Sequence, residues 1–137
     1  MSRRGIIVSS LIDSISASTG STGHRGMRFL HEINDFPAFY VHPANEGRVH
    51  IGDGMTFGVL SLAIRGYQWA DSLDDVDAYG RALETAVQTF FESNRELVEE
   101  ARVTSFQTDE GVMEPYGSVD LSVTILYDAL DPIYIRK

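Results

Sequence analysis

The sequence contains no cysteine among its 137 residues. This absence excludes disulfide bonds, thiolate metal sites and a cysteine nucleophile. A reducing compartment such as a bacterial cytoplasm is compatible with that composition.

Long apolar runs are also missing. No segment approaches the roughly 20 apolar residues that a membrane-spanning helix needs. Arg3 and Arg4 lie near the start of the sequence, but the apolar stretch that follows them is interrupted by Ser9 and Ser10. It is therefore shorter than the apolar region of a signal peptide. We expect a soluble protein that is not exported by itself and has no membrane partner.

Positive charge is scarce. Eleven Lys and Arg residues stand against 20 Asp and Glu residues, which gives a net charge of −9. A surface of this sign repels a phosphate backbone, so the composition argues against a protein that reads a nucleic-acid sequence. An acidic wall past which DNA slides without binding is compatible with it. The length and the hydrophobic content of 43% suit one domain with an ordinary core.

Two stretches have the apolar periodicity of amphipathic helices. In residues 4–15, Ile7 and Leu11 belong to a set of apolar side chains at four-residue spacing, which predicts one buried stripe. Residues 72–94 begin at Ser72, a helix-capping residue, and aspartates crowd the first turns. These acids favour the positive end of a helix dipole.

The rest of the chain is predicted to form strands and loops. Residues 16–26 (SASTGSTGHRG) lack periodicity, which predicts a loop or flexible arm extending to residue 35. His42 and Pro43 are predicted to end the first strand, and the Asp53-Gly54 pair predicts a tight turn. The predicted strands are residues 36–41, 49–51, 55–67, 101–108 and 118–127. This order predicts an α+β fold, in which a mostly antiparallel five-stranded sheet carries two main helices within a single domain, residues 1–137.

No motif satisfies the requirements of a catalytic or ligand site. Residues 20–26 are rich in glycine but lack the lysine of a phosphate-binding loop. The aspartates of residues 71–77 have a structural role at a helix start. The histidines lack the close spacing of a helix-borne zinc site; they are His24, His31, His42 and His50. We therefore predict no catalytic residue, no metal site and no cofactor, and a protein that is not an enzyme.

Two predicted loops, residues 42–55 and 108–117, have features of protein contact surfaces. Methionine, tyrosine and arginine are enriched in interface cores, although scattered exposed apolar side chains are also common on monomers. The candidate interface residues are Arg48, His50, Met55, Glu110, Met113, Glu114 and Tyr116. The predicted arm adds Met27, Phe29 and Leu30, which need an apolar partner.

Together these patterns resemble the tail terminator, or minor tail protein U-like, family of tailed bacteriophages. The resemblance rests on the N-terminal helix, on NDFPAFYV at residues 34–41 and on LSLAIRGY at residues 60–67. It continues through the acid-started helix of residues 71–91 and the closing segment, residues 108–127. The predicted arm at residues 16–26 is longer than the family pattern.

The resemblance implies a structural virion protein of the tail or neck, assembled in the cytoplasm of a host bacterium. Six copies would form a ring on the last ring of the tail tube, stop tail polymerisation and offer a joining surface for the head. The implied partners are the tail tube protein, a neck or head-completion protein, and other copies of this chain. DNA would pass through the lumen without sequence-specific binding. The loops at residues 42–55 and 108–117 would face the tube or neck. A sheet edge and the helix at residues 72–94 would contact neighbouring copies.

Other functions stay open at this point. Another neck component, such as a head-closure or connector protein, is the nearest alternative. A small enzyme built from dispersed carboxylates and histidines would need a deep pocket with perturbed acids. A ligand-binding α+β module, with the arm folded over a small molecule, is the third alternative.

Overall fold

The structure is a computed structural model. It describes residues 2–27, 33, 35–52, 54–69, 73–113 and 116–129, and within these ranges the side chains of residues 51, 73, 109–113 and 116 are left out. The elements are α1 (Arg3–Thr19), β1 (Thr22–Arg25), β2 (Ala38–Ile51), β3 (Met55–Trp69), α2 (Leu73–Ser93), β4 (Glu100–Met113) and β5 (Tyr116–Asp128).

The five strands form one sheet in the order β1-β2-β3-β5-β4. Only the β1–β2 pair is parallel, and the other three pairs are antiparallel. The predicted α+β fold, a mostly antiparallel five-stranded sheet with two helices packed on it, is confirmed.

The main core lies between the two helices and one face of the sheet. The apolar stripe of α1 is buried there, with Ile7 and Leu11 fully inaccessible, and α2 contributes Leu83 and Phe90. The strands contribute every second residue, such as Leu60, Leu62 and Ile64 of β3 and Val119, Leu121 and Val123 of β5. Each of these large side chains stabilises the fold by about 1.5–3 kcal/mol through burial. The opposite side, which we call the open face, has a smaller buried cluster near one end: Ile33, Ala38, Tyr40 and Tyr67.

The segment predicted as a loop at residues 16–26 is regular instead. Helix α1 continues to Thr19 and is capped by Gly20. The φ of Gly20 is 72°, in the left-handed region that glycine adopts readily. The Thr19 hydroxyl donates a hydrogen bond to the Ile15 carbonyl. The last turn of α1 is therefore stabilised by a polar side chain, and the sequence there shows no apolar periodicity that would predict a helix. Strand β1 follows at once. The rest of the predicted arm, residues 28–32 and 34, lies outside the described residues.

Strand β2 unites two segments that the sequence predicts as separate strands. The prediction that His42 and Pro43 end the first strand is wrong. Strand β2 runs on to Ile51, with a register shift between Pro43 and Asn45. Strand β1 covers the outer side of β2 only as far as Val41. Beyond that point proline is tolerated, because an outer edge needs no amide N–H for a further strand.

The two antiparallel hairpins are longer than predicted. Strand β4 extends to Met113 and β5 begins at Tyr116, so most of the predicted loop at residues 108–117 is sheet, with a register irregularity between Glu110 and Met113. The β2–β3 turn is tight as predicted: the Met55 amide donates to the Gly52 carbonyl at 3.2 Å. Helix α2 matches its predicted range to within a residue, although Ser72 itself lies outside the described residues.

Candidate interaction surfaces

The candidate interface residues lie at opposite ends of the sheet. The β2–β3 hairpin carries Arg48, His50 and Met55 at one end, where Met55 opens β3. Trp69, the last residue of β3, aligns with Tyr116, the first residue of β5, at the other end. Strand β3 therefore separates the two ends by roughly 45 Å, at about 3.3 Å per residue. The two predicted contact regions do not form one continuous surface.

The helix-facing side of the β2–β3 hairpin contains a buried carboxylate. The side chain of Glu46 is only 7% exposed. It accepts a hydrogen bond of 2.6 Å from the Tyr127 hydroxyl of β5, and its second oxygen pairs with the guanidinium of Arg48. Both partners satisfy a charge that would otherwise be costly to bury. The outer hairpin is thus fixed to the sheet by a three-residue polar cluster.

The ring of Tyr127 fits beside β3 because position 58 is a glycine. A Cβ atom at Gly58 would lie 2.6 Å from the ring Cε1 atom of Tyr127. Burial raises the pKa of the Tyr127 phenol to about 12, and the adjacent Glu46 carboxylate adds to the shift. The phenol therefore stays protonated and able to donate its hydrogen bond throughout the neutral range.

Arg48 and His50 both lie within β2. This corrects the predicted loop at Arg48, whereas His50 was also part of a predicted strand, residues 49–51. The Arg48 side chain is 47% exposed even though it pairs with Glu46, and that hydrogen bond raises the pKa of its guanidinium. His50 Nδ1 lies 3.0 Å from the Thr56 hydroxyl across the hairpin. Both side chains are therefore oriented by the hairpin while remaining accessible.

The other side of the same hairpin is apolar and accessible. Val49 is 43% exposed and Met55 is 47% exposed. Val49 aligns with Phe57, and Val59 aligns with Leu126, on the open face. Phe57, Val59 and Leu126 are partly buried. This hairpin end therefore presents a polar side and an apolar side, and Met55 belongs to the apolar one.

The opposite end holds the remaining candidates. Glu110 and Met113 lie on β4 and Tyr116 on β5, close to where the two strands meet. Glu114 lies outside the described residues. Trp69 is 54% exposed at this end. Sequence reasoning missed this tryptophan, although a lone Trp just before an acidic helix start was a visible signal.

Sequence reasoning also missed a polar cluster on the open face. The Arg65 guanidinium donates to both Asp120 carboxylate oxygens, at 2.6 and 3.0 Å. The rings of Tyr40 and Tyr67 lie beside it, 6.5 Å apart. Burial raises the pKa of Tyr40, against the opposing effect of Arg65. Because the cluster joins three neighbouring strands, β2, β3 and β5, its first effect is to stabilise the sheet.

Two kinds of site are not found in the described part of the chain. Its His, Asp and Glu side chains include no group of three or more that could hold a metal ion. None of its helices is long and apolar enough to cross a membrane.

Comparison with known proteins gives a likeness to a solved structure. No protein-family model matches the chain, and no curated protein matches it. Among solved structures, the chain is similar to one described as "Virion of native gene transfer agent (GTA) particle". The two share 12% identity with a TM-score of 0.53, and the match covers 88% of this chain and 91% of that chain. At that identity the likeness establishes a shared fold over nearly the whole length of both chains.

Proposed function

We propose that this chain is a structural protein of a bacteriophage or phage-like virion. The observation that carries the proposal is the fold likeness to a chain of a gene transfer agent virion, which extends over 88% of this chain. Because the match covers 88% of this chain and 91% of the other, it involves most of the fold rather than one local motif. The proposed role is structural rather than catalytic, and the two ends of the sheet are its proposed contact surfaces.

Within the virion, the proposed role is that of a tail terminator. Such a protein needs one surface that contacts the last ring of tube subunits and a different surface for the neck. The opposed hairpin ends suit this requirement, because one end presents Arg48 and Met55 and the other presents Trp69. Strand β3 holds these ends roughly 45 Å apart, at about 3.3 Å per residue. A single copy is therefore long enough to contact two partners at once.

The proposed assembly is a ring of six copies through which DNA passes. The net charge of −9 suits a lumen that repels a phosphate backbone. Neighbouring copies would meet along the edges of the sheet and the outer side of α2. The proposed partners are therefore other copies of the chain, the tube protein and a neck or head-completion protein.

The deciding experiment is electron microscopy of particles made without this gene. Overlong tails, or headless tails of irregular length, are the expected result for a terminator. Tails of normal length beside filled but unattached heads would move the protein to the neck, as a head-closure or connector protein. Ordinary infectious particles would contradict a structural role of either kind.

A further inference from the structure

A shallow groove runs along one edge of the molecule, between α2 and the edge strand β4. We call it the α2–β4 groove, and its volume is about 360 Å³. Val87 and Ala101 at its floor are buried, and Val103 is partly buried, so Val103 supplies the accessible apolar surface of the groove. Its rim includes Glu84 and Gln88 of α2 and Arg102 of β4.

The rim of this groove carries one carboxylate, Glu84, and one guanidinium, Arg102. Glu84 is exposed, and Gln88 donates a hydrogen bond to Glu92, one turn further along α2. Arg102 is paired with Glu100, and Arg81, which lies near Glu84, is paired with Asp77. The groove thus offers the side chain of Val103 and the exposed carboxylate of Glu84 to whatever binds it.

The opposite edge of the sheet has complementary features. Arg25, the last residue of β1, is exposed and forms no ion pair with another described residue. Met27, two residues further along, is 57% exposed. Gly26 fixes the segment, because its amide donates a hydrogen bond to the Val41 carbonyl at 2.8 Å. An exposed cation and a large exposed apolar side chain therefore lie two residues apart at this edge.

The two edges are also matched in position along the strands. Ala101 of β4 aligns through β5 and β3 with Glu46 of β2, and Val103 aligns in the same way with Pro43. Arg25 aligns with Val41, two residues before Pro43. A second copy placed edge to edge, with little shift along the strands, therefore brings the Arg25–Met27 segment close to the groove.

Irregularities in both edges disfavour a continuous sheet between copies. The register shifts between Pro43 and Asn45 in β2 and between Val103 and Ser105 in β4. Such bulges interrupt the row of backbone donors and acceptors that a neighbouring strand would need. A contact between these edges is therefore made mainly by side chains, whose charge and shape decide the partner.

We infer that copies of this chain associate head to tail, with the α2–β4 groove of one copy receiving Arg25 and Met27 of the next. The cation lies against Glu84 and the methionine against Val103. Because the two surfaces differ, the contact is heterologous and repeats around a closed ring or along a filament. Only the preference for a closed ring over a filament rests on the proposed function. The contact between the two edges is inferred independently of it.

Charge reversal tests the contact in the purified full-length chain. Sedimentation over a range of protein concentrations should show that Arg25→Glu weakens self-association about tenfold or more, because it places like charges together. Glu84→Arg should have the same effect. Mixing the two variants, or combining both changes in one chain, should restore association. Ser122→Glu, an exposed position on the open face, is the control and should leave association unchanged.

The orientation is tested by cross-linking, for which the cysteine-free sequence is a ready background. An Arg25→Cys chain mixed with a Glu84→Cys chain should give disulfide-linked pairs, while either chain alone should give few. Pairs formed mainly by one variant with itself would overturn the inference. So would a native chain that never associates, or one whose association survives both reversals. These readouts need no virus, so an abnormal tail in the gene deletion would still support the proposed function if this contact fails.

Discussion

The Tyr127 hydroxyl donates a 2.6 Å hydrogen bond to the Glu46 carboxylate, joining residues 81 positions apart in the chain. Glu46 lies beyond the bulge in β2, and Tyr127 lies near the end of β5. The bond therefore connects the outer part of the β2–β3 hairpin to the strand on the far side of β3. The orientation of the hairpin end depends on this contact, because the carboxylate also holds Arg48.

Replacing Tyr127 by phenylalanine should lower the free energy of unfolding by about 1–2 kcal/mol at neutral pH, because Glu46 loses a buried hydrogen-bond donor. Urea unfolding measures this loss. A double-mutant cycle with Glu46→Ala should give a combined loss smaller than the sum of the single losses. Strict additivity would mean that the bond does not stabilise the native state.

The same phenol should make stability fall at alkaline pH. Folding raises the pKa of Tyr127 from 10.0 to about 12. Its stabilising contribution is therefore complete below pH 10 and is lost as the pH rises through the folded-state pKa. Unfolding measured across this range, together with phenolate absorbance, should show a steeper loss for the native chain than for Tyr127→Phe. Equal slopes would contradict the assignment.

Gly58→Ala tests the space that the Tyr127 ring requires. The new Cβ would lie 2.6 Å from the ring, so the ring or the strand must move, at a cost of about 1–3 kcal/mol. Gly47→Ala is a matched control, because Gly47 lies in the same hairpin and a Cβ there meets nothing within 4 Å. Thermal unfolding should separate the two variants. Similar losses in both would show that glycine at position 58 is not required for packing.

Arg3 joins the start of α1 to the segment that follows α2. Its guanidinium donates to the carbonyls of Glu96 and Leu97, both at 3.1 Å, and the residue is only 8% exposed. Arg3→Ala should lower the free energy of unfolding by about 1–3 kcal/mol, since two carbonyls lose their donor. Arg81→Ala, which removes an exposed ion pair with Asp77, should cost less than about 1 kcal/mol. An equally small effect at Arg3 would contradict this role.

The parts of the fold predicted correctly from sequence are those with a local signal. Helix α2 and the alternation in β3 and β5 are visible because each element buries one face, and the spacing of apolar residues records that face. Strand β1 has only four residues and no apolar alternation, and its parallel pairing with β2 is a long-range property. The continuation of β2 through Pro43 likewise depends on its position at an edge.

The candidate surfaces were predictable in composition but not in arrangement. Sequence reasoning selected Arg48, His50 and Met55, which the structure brings together on one hairpin end. The pairing of Glu46 with Tyr127, or of Arg65 with Asp120, needs the strand register, which no local pattern contains. The opposite positions of the two hairpin ends follow from the strand order, and this arrangement divides the candidate residues between two separate regions of the sheet.

Those two surfaces should give distinct defects when altered singly. Met55→Asp changes an exposed side chain on the β2–β3 hairpin and should alter stability by less than about 0.5 kcal/mol. Tyr116→Ala changes the opposite end. If each end contacts a different partner, neither variant should complement the gene deletion. One variant should fail to join the tail tube, and the other should fail to join the neck. Electron microscopy distinguishes the two, because the first defect changes tail length and the second leaves complete tails without heads.

Ala63→Asp, exposed at the centre of the open face, is the control and should complement. Identical defects from both ends would mean that the ends do not serve separate partners, and full complementation by both would remove the hairpin ends from the proposed contacts.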